Sequence, residues 1–561
     1  TFGSPLSPLN EHELQVELVK KIGLPMFLVS SSTVGAIGRC LQSLAALRAA
    51  ALAPQGVVLV GPEDPFAVEQ IGRWWKTDCV WGLAAPLQWT VDGIKKAADQ
   101  NRETLAALRA LCGGAQKILS TPLSSQPLAL GPSRGDAVKV RPGRADLLAL
   151  VDRDCRTIWH PYTSLGDSAP PLECVGAQDE FLHLADGRMV IDAISSWWTI
   201  LHGHRHPMLM AALHEASQRF DHVHFAGITH EPAVALAELI LASMPWPGGR
   251  VFYSDDGSTA VEVALKLAHQ YWRHRGEPQR THFIGFEHGY HGDTFGAMAV
   301  GRDPVFFGAF EPLLFAASIV PLSPEHLDAE LTRRPHQTAA IIIEPLVQGA
   351  GGMRMHTPAE LSAIAEVARR HDVLFIADEV MTGCGRTGTL WAHRAADIAP
   401  DLICTGKTLA GGVLPLAATV ASSRIVEAFQ TDDRRKTFFH GHSFTAHPLA
   451  CAVAVANWSQ LLPTVSTQSM EALWRETLPP LQELPQVREV RIRGSIAAIE
   501  IEAEGGYLAE TAGRMRRACL DLGVLCRPLG NVLYALPPLA TPAASLYRIA
   551  EAMHRAVAES K

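Results

Sequence analysis

Short apolar runs alternate with stretches of helical period along most of this chain. Pro25-Met26-Phe27-Leu28-Val29-Ser30 and Gly56-Val57-Val58-Leu59-Val60 are continuous apolar runs, and each predicts a buried strand. Between them Ile37, Cys40, Leu41, Leu44 and Leu47 recur at helical spacing, which completes a strand–helix–strand unit of a parallel sheet. Residues 119–150 break the pattern; they are rich in Ser, Pro and Gly and predict a linker. From 151 to 561 the alternation resumes on a larger scale. Val251-Phe252-Tyr253, His282 to Phe286, Ala340 to Glu344 and Leu374 to Ala377 predict strands separated by helices. That pattern predicts an α/β fold with a large, mostly parallel sheet, followed from about residue 465 by a small α+β domain.

Bulk properties narrow the function classes. Of 561 residues, 47% are hydrophobic and 19% charged, as in an ordinary globular protein. The net charge of −8 is spread along the chain, so nothing basic points to nucleic acid or a membrane surface. Ten cysteines occur without a C-x-x-C pair, which predicts reduced thiols. No apolar run approaches the roughly 18 residues of a membrane span.

The chemistry centres on Lys407, in Cys404-Thr405-Gly406-Lys407-Thr408, just after an apolar run that begins at Leu402. Upstream, the run Leu374-Phe375-Ile376-Ala377 ends in Asp378. A lysine at one strand end and an acid at another is the minimum set for holding pyridoxal phosphate. The amine bonds to the cofactor carbonyl, and the acid keeps the ring nitrogen protonated. An ion pair at about 4 Å and an effective dielectric near 20 is worth roughly 4 kcal/mol, or about 3 pK units. That is enough to keep a pyridine ring protonated at neutral pH.

Further motifs suit the same ligand. Tyr253-Ser254-Asp255-Asp256-Gly257-Ser258-Thr259 precedes a helical pattern with Val261, Ala264, Leu265, Ala268 and Trp272 on one face. Free N–H groups at such a helix start make Gly257 and Ser258 candidates for an anion site, and Thr259 with Glu262 match a capping box. Tyr290, between glycines in Gly289-Tyr290-His291-Gly292, can lie flat on a ring. The His440 to Phe444 loop, with His442 and Ser443, is a second candidate phosphate contact. Tyr162, in Trp159-His160-Pro161-Tyr162, and the pair Trp197-Trp198 can wall an apolar pocket or face a cation. Arg386 and Arg527 are candidates for gripping a carboxylate by paired hydrogen bonds.

Taken together, these motifs resemble the class-III, fold-type-I pyridoxal phosphate transaminases, over residues 155–555. The Trp159-His160-Pro161-Tyr162 and Ser196-Trp197-Trp198 elements resemble its adenosylmethionine–8-amino-7-oxononanoate branch. The resemblance implies a large-plus-small-domain fold and transamination of 8-amino-7-oxononanoate to 7,8-diaminononanoate in biotin synthesis, with S-adenosylmethionine as amino donor. It implies that Lys407 bonds the cofactor and shuttles protons, that Asp378 partners the ring nitrogen, and that Tyr290 stacks on the ring. Gly257 and Ser258 would then hold the phosphate. His442 and Ser443 would reach the phosphate of a partner subunit, so a homodimer with shared active sites is implied. The branch usually has Pro-Thr at these two positions. Tyr162, Trp197 and Trp198 would be pocket walls, Arg527 the carboxylate clamp and Arg386 an arginine near the substrate. An ω-amino acid or ornithine-type transaminase, and a catalytically silent assembly protein of the same fold, stay open as alternatives.

Residues 1–118 resemble the C-terminal half of dethiobiotin synthetase, a P-loop-type α/β domain. The G-x-x-x-x-G-K-[ST] loop of such domains does not occur in this chain. Thr1 opens the sequence without an initiating methionine, so the expectation is a bifunctional protein whose ATP- and Mg2+-binding half and targeting segment lie upstream. Its resemblance to eukaryotic fusions implies a mitochondrial location.

Overall fold

The computed structural model describes residues 27–31, 56–61, 68–69, 71, 80–84 and 150–560, apart from 167–168 and 465. The chain divides into two compact units between Arg141 and Pro142, inside the stretch read as a linker. In the first unit β1 (Phe27–Ser31), β2 (Gly56–Gly61) and β3 (Val80–Ala84) pair in parallel in that order. Both apolar runs expected to be strands fall here, and Val57, Val58 and Leu59 are buried. The helix expected from Ile37 to Leu47 lies outside the described residues.

The second unit begins with a meander of β4 (Cys174–Gln178), β5 (Phe181–Leu184) and β6 (Met189–Asp192). Its large sheet follows: β7 (Arg250–Ser254), β8 (His282–Phe286), β9 (Ala317–Val320) and β10 (Thr338–Ile343). After the short pair β11 (Val347–Gln348) and β12 (Arg354–Met355), the sheet continues with β13 (Leu374–Asp378), β14 (Leu402–Thr405) and β15 (Ala417–Ala421). The seven strands run in the order β7-β15-β14-β13-β10-β8-β9, with β15 antiparallel to both its neighbours and the other pairs parallel.

Both faces of this sheet are covered, which is why its strands read as unbroken apolar runs. Ala340, Ile342, Leu374 and Ile376 pack in the layer of the helix Gly257–His274. Ile341, Ile343, Phe375 and Ala377, one residue out of phase, pack in the opposite layer with the helix Pro358–Arg370. The period of two thus sorts neighbouring residues into separate cores. The expected helix face of Val261, Ala264, Leu265, Ala268 and Trp272 is buried throughout. Its cap differs from expectation. Asp256, not Thr259, is the N-cap, and Thr259 is its N3 partner in the capping box. Glu262 instead accepts the Gly296 N–H at 2.7 Å. Two overlapping acid–hydroxyl spacings compete here, and the chain enters the helix one turn earlier.

The small domain contains β16 (Val487–Arg493), β17 (Ile496–Ile501), β18 (Val524–Leu525) and β19 (Val532–Ala535). It is discontinuous in sequence. β18 pairs in parallel with β6, setting Leu525 opposite Asp192, and Ile191 and Ala193 share a core with Trp474, Met515 and Leu533. Residues 174–193 therefore pack with the C-terminal stretch, not with the large sheet that follows them.

One buried histidine supplies a pH test of this packing. His356 Nε2 accepts the Leu346 N–H at 2.9 Å, and burial pushes its pKa from 6.5 down to about 4. A depressed folded-state value means that the neutral ring's contribution is present above pH 6.5 and is lost as pH falls toward 4. His202, pushed down to about 4 by burial, acts in the same direction. The melting temperature should drop across this window. His356→Gln, whose carbonyl can accept the same N–H, should shed part of that slope in melts at pH 4.5 and 7.

Candidate active site

Asp378 and Lys407 stand at the C-terminal ends of adjacent parallel strands. Asp378 closes β13 opposite Cys404 of β14, and Lys407 follows three residues later. This edge is where open α/β sheets place ligands. Both residues line one cleft of about 670 Å³, together with Trp198, Gly257, Tyr290 and Glu344. Lys407 begins a short 3-10 turn with φ of +42°, a left-handed conformation that a side-chain-bearing residue holds only under constraint. Part of that constraint is Asn457, in a π-helical turn. Its amide donates to the carbonyls of Thr408 and Leu409 at 3.0 Å each, while its own carbonyl oxygen lies 2.6 Å from His202 Nε2. Burial lowers the Lys407 pKa, against the pull of Asp378 and Glu344. The Trp198 ring centre lies 5.1 Å from Nζ.

The acid is held as firmly as the amine. His291 Nδ1 lies 2.7 Å from Asp378 Oδ2, and the Val380 N–H donates to Oδ1 at 3.1 Å. Glu344 Oε1 accepts the Tyr290 N–H at 3.0 Å and Oε2 accepts the Gly349 N–H at 2.9 Å. Burial first, and then the Asp378 charge, raise Glu344 to about 7. Sequence reading had quoted the runs containing His291 and Glu344 without assigning either a role. The available signal for Glu344 was the same as for Asp378: an acid that ends a fully apolar strand.

The helix start beside Gly257 and Ser258 forms the anion end of the cleft. The Thr259 N–H is taken by Asp256 Oδ1 at 3.0 Å, which leaves the first-turn N–H groups of Gly257 and Ser258 for a ligand. The Ser258 hydroxyl is already engaged, donating to Thr294 Oγ1 at 2.8 Å and accepting the Thr294 N–H at 3.0 Å. Ser258 therefore offers its backbone rather than its side chain. A Cβ on Gly257 would fall 2.5 Å from Val380 Cγ1, so only glycine allows this close approach. His291 Nε2 is buried with no hydrogen-bond partner among the described residues. A buried amine, a fixed carboxylate, an anion-binding helix start and the flat Tyr290 ring fit pyridoxal phosphate.

Aromatic side chains form the outer wall. The Tyr162 ring meets Trp197 and Phe306 edge-on at 5.6 and 6.0 Å; its hydroxyl lies 2.9 Å from that of Tyr290 and donates to Asp293 Oδ2 at 2.5 Å. Burial, then the Tyr162 hydrogen bond, raises the Tyr290 phenol above its ordinary value, so it stays protonated. Phe306 also packs on Tyr507 at 4.5 Å, and neither had been singled out from sequence. The Arg527 guanidinium lies 4.1 Å from the Trp197 ring centre and has no carboxylate partner among the described residues. Ser195 to Trp198 all have positive φ, a run that costs roughly 1–2 kcal/mol per residue in isolation.

Arg386, His442 and Ser443 stand outside the lining of this cleft. Arg386 is fully buried; its guanidinium donates to the carbonyls of Pro537 (2.8 Å) and Ile200 (3.0 Å), so it ties these segments together. The burial of Arg386 and Thr387 could not be read from composition, since the glycines beside them, Gly385 and Gly388, are partly or fully exposed. His442 Nδ1 lies 3.3 Å from Asp255 Oδ2 at the rim, and the Ser443 carbonyl oxygen lies 2.6 Å from His222 Nε2. Both thus contact their own subunit.

Known proteins are similar to this chain in sequence and fold. Residues 163–557 match the aminotransferase class-III family, and residues 1–96 match an AAA domain family. An adenosylmethionine-8-amino-7-oxononanoate aminotransferase of Synechococcus elongatus is 46% identical over 397 residues, covering 68% of this chain and 93% of the relative. The crystal structure of an enzyme of that name from Methanocaldococcus jannaschii superposes with TM-score 0.69 and 31% identity, over 73% of this chain and 98% of that one. An amine transaminase from an uncultivated Pseudomonas species, in its PLP-bound form, superposes with TM-score 0.67 and 28% identity, over 72% and 99%.

The raised Glu344 pKa has a definite sign. The retained proton stabilises the fold fully below the ordinary value of 4.5, and that contribution is lost as pH rises through about 7. Relative to wild type, Glu344→Gln should therefore melt higher at pH 8 than it does at pH 5; an equal difference at both would refute the assignment. Gly257→Ala should weaken pyridoxal phosphate retention about tenfold or more in dialysis, as expected for a displaced helix start.

Proposed function

This chain belongs to the pyridoxal phosphate-dependent class-III aminotransferases, within them to the adenosylmethionine-8-amino-7-oxononanoate aminotransferases, and from that premise we propose its reaction and the role of each residue. The chain transfers the amino group of S-adenosylmethionine to 8-amino-7-oxononanoate, giving 7,8-diaminononanoate for biotin synthesis. The observation that carries this reading is the meeting of a buried lysine and a buried aspartate in one aromatic-walled cleft.

When bound, pyridoxal phosphate supplies a reactive carbonyl and an electron-accepting ring. Lys407 and Asp378 would hold its two ends, Tyr290 its face, and the N–H groups of Gly257 and Ser258 its phosphate. Lys407 Nζ, with its pKa lowered by burial, is the group that would take and return a proton. Asp378 stays in register through His291 and the Val380 N–H, so its charge does not swing away from the cleft. Arg527, resting on Trp197, is placed to grip a substrate carboxylate by paired hydrogen bonds. Tyr162, Trp197, Trp198 and Phe306 cover methylene groups and attract a sulfonium cation, so one wall serves both substrates.

A homodimer with shared sites is part of the same reading. It is supported by His442, at the cleft rim beside Asp255, whose Nε2 is buried without a hydrogen bond among the described residues. Residues 1–96 suggest a dethiobiotin synthetase partner activity in a bifunctional protein. The chain has no G-x-x-x-x-G-K-[ST] loop, so ATP-dependent chemistry is not assigned to it.

Single-turnover assays with S-adenosylmethionine and with glutamate test the donor. The first should shift the cofactor absorbance and the second should not; turnover with glutamate alone would point to an ω-amino acid transaminase. Lys407→Ala should lower kcat at least about a thousandfold, since it removes both the covalent amine and the proton carrier.

A further inference from the structure

The Ser195–Trp198 turn has no glycine, yet φ is +50°, +44°, +73° and +73° along it. Such a run persists only where its surroundings over-determine it. Two holds come from the C-terminal side of the small domain. Ser195 Oγ donates to the Leu536 carbonyl at 2.7 Å, and Trp198 Nε1 donates to the Tyr534 hydroxyl at 2.9 Å. The third is Asp192, which is fully buried. Its Oδ1 accepts the Ile194 N–H at 3.3 Å, and its Oδ2 accepts the Ser196 hydroxyl at 2.9 Å and lies 2.9 Å from His204 Nε2.

Asp192 also sits where two parts of the pocket meet. It pairs with Leu525, two residues before Arg527. The turn it closes carries Trp197, on which Arg527 lies, and Trp198, which faces Lys407. A shift of this turn would move the surface under the arginine while Lys407 stayed anchored by Asn457.

We infer that Asp192 is the positioning residue of the carboxylate arm: by closing the left-handed turn it sets Trp197 under Arg527, and it touches no substrate itself. This rests on the function proposed above and deepens it, because it assigns control of substrate carboxylate binding to a buried acid outside the cleft. The competing account is that Asp192 serves only the fold of the small domain.

The test compares Asp192→Asn, Ser196→Ala and the double variant, each loaded with cofactor. KM and kcat are measured for 8-amino-7-oxononanoate and S-adenosylmethionine, and near-ultraviolet circular dichroism reports the tryptophans. Asp192→Asn should raise KM for 8-amino-7-oxononanoate about tenfold, the scale of one buried bond lost, with kcat held within about twofold. The tryptophan signal should change with it. Ser196→Ala should raise KM less, and the double variant should be no worse than Asp192→Asn, because both changes break the same bond. Additive KM effects, or a lower melting temperature with KM unchanged, would overturn the inference, as would a fall in kcat alone. Should Asp192→Asn fail to fold, Ser196→Ala decides: a raised KM at an unchanged melting temperature supports the role, and an unchanged KM overturns it. A wild type inactive on both substrates rejects the proposed function instead. The turn is then judged on circular dichroism, where an unaltered tryptophan signal in Asp192→Asn overturns it.

Discussion

A buried amine beside buried carboxylates is the constraint on which the rest of the site depends. Lys407, Asp378 and Glu344 share one cleft, and no arrangement leaves all three charged without cost. The structure divides that cost unevenly. Burial lowers the lysine and raises Glu344, while His291 and a backbone N–H support Asp378. The outcome is an amine eased toward its neutral form next to a carboxylate fixed in place, the two features transamination uses.

Holding these groups takes backbone strain at the cleft, as at several turns elsewhere in the chain. Lys407 is left-handed, and so is the whole turn from Ser195 to Trp198. Each is tied from a distance in sequence, the lysine by the Asn457 side chain and the tryptophan turn by the Leu536 carbonyl and the Tyr534 hydroxyl, and Asp192 closes that turn locally. Packing across the domain junction thus holds shapes that local preference would reject. Arg386 belongs to the same system. Its bonds to Pro537 and Ile200 bind the ends of segments that frame the cleft, so an arginine that reads as a ligand-binding residue is a strut.

Strand and helix placement in the large domain was legible because a two-sided sheet demands continuous apolar runs, and because a helix packed on it demands one apolar face. Asp378 and Lys407 were legible for a related reason, since a charged residue at the end of such a run stands at the sheet edge. Glu344 followed the same rule and was passed over. Phe306 and Tyr507 gave no comparable sign, because an aromatic in a loop reads alike whether it packs in a core or lines a pocket.

By itself, then, the amino-acid order determined the layered α/β architecture, the helix start that can bind an anion, and the lysine and acid at the strand ends. All of these follow from periodicities and caps that act over a few residues. The tertiary structure alone decided that residues 174–193 join the C-terminal domain, that Arg386 bonds the carbonyls of Pro537 and Ile200, and that Leu536 and Tyr534 hold the left-handed turn beside Arg527. Those outcomes depend on contacts between segments up to several hundred residues apart, and short-range patterns carry no record of which distant segment will supply the partner.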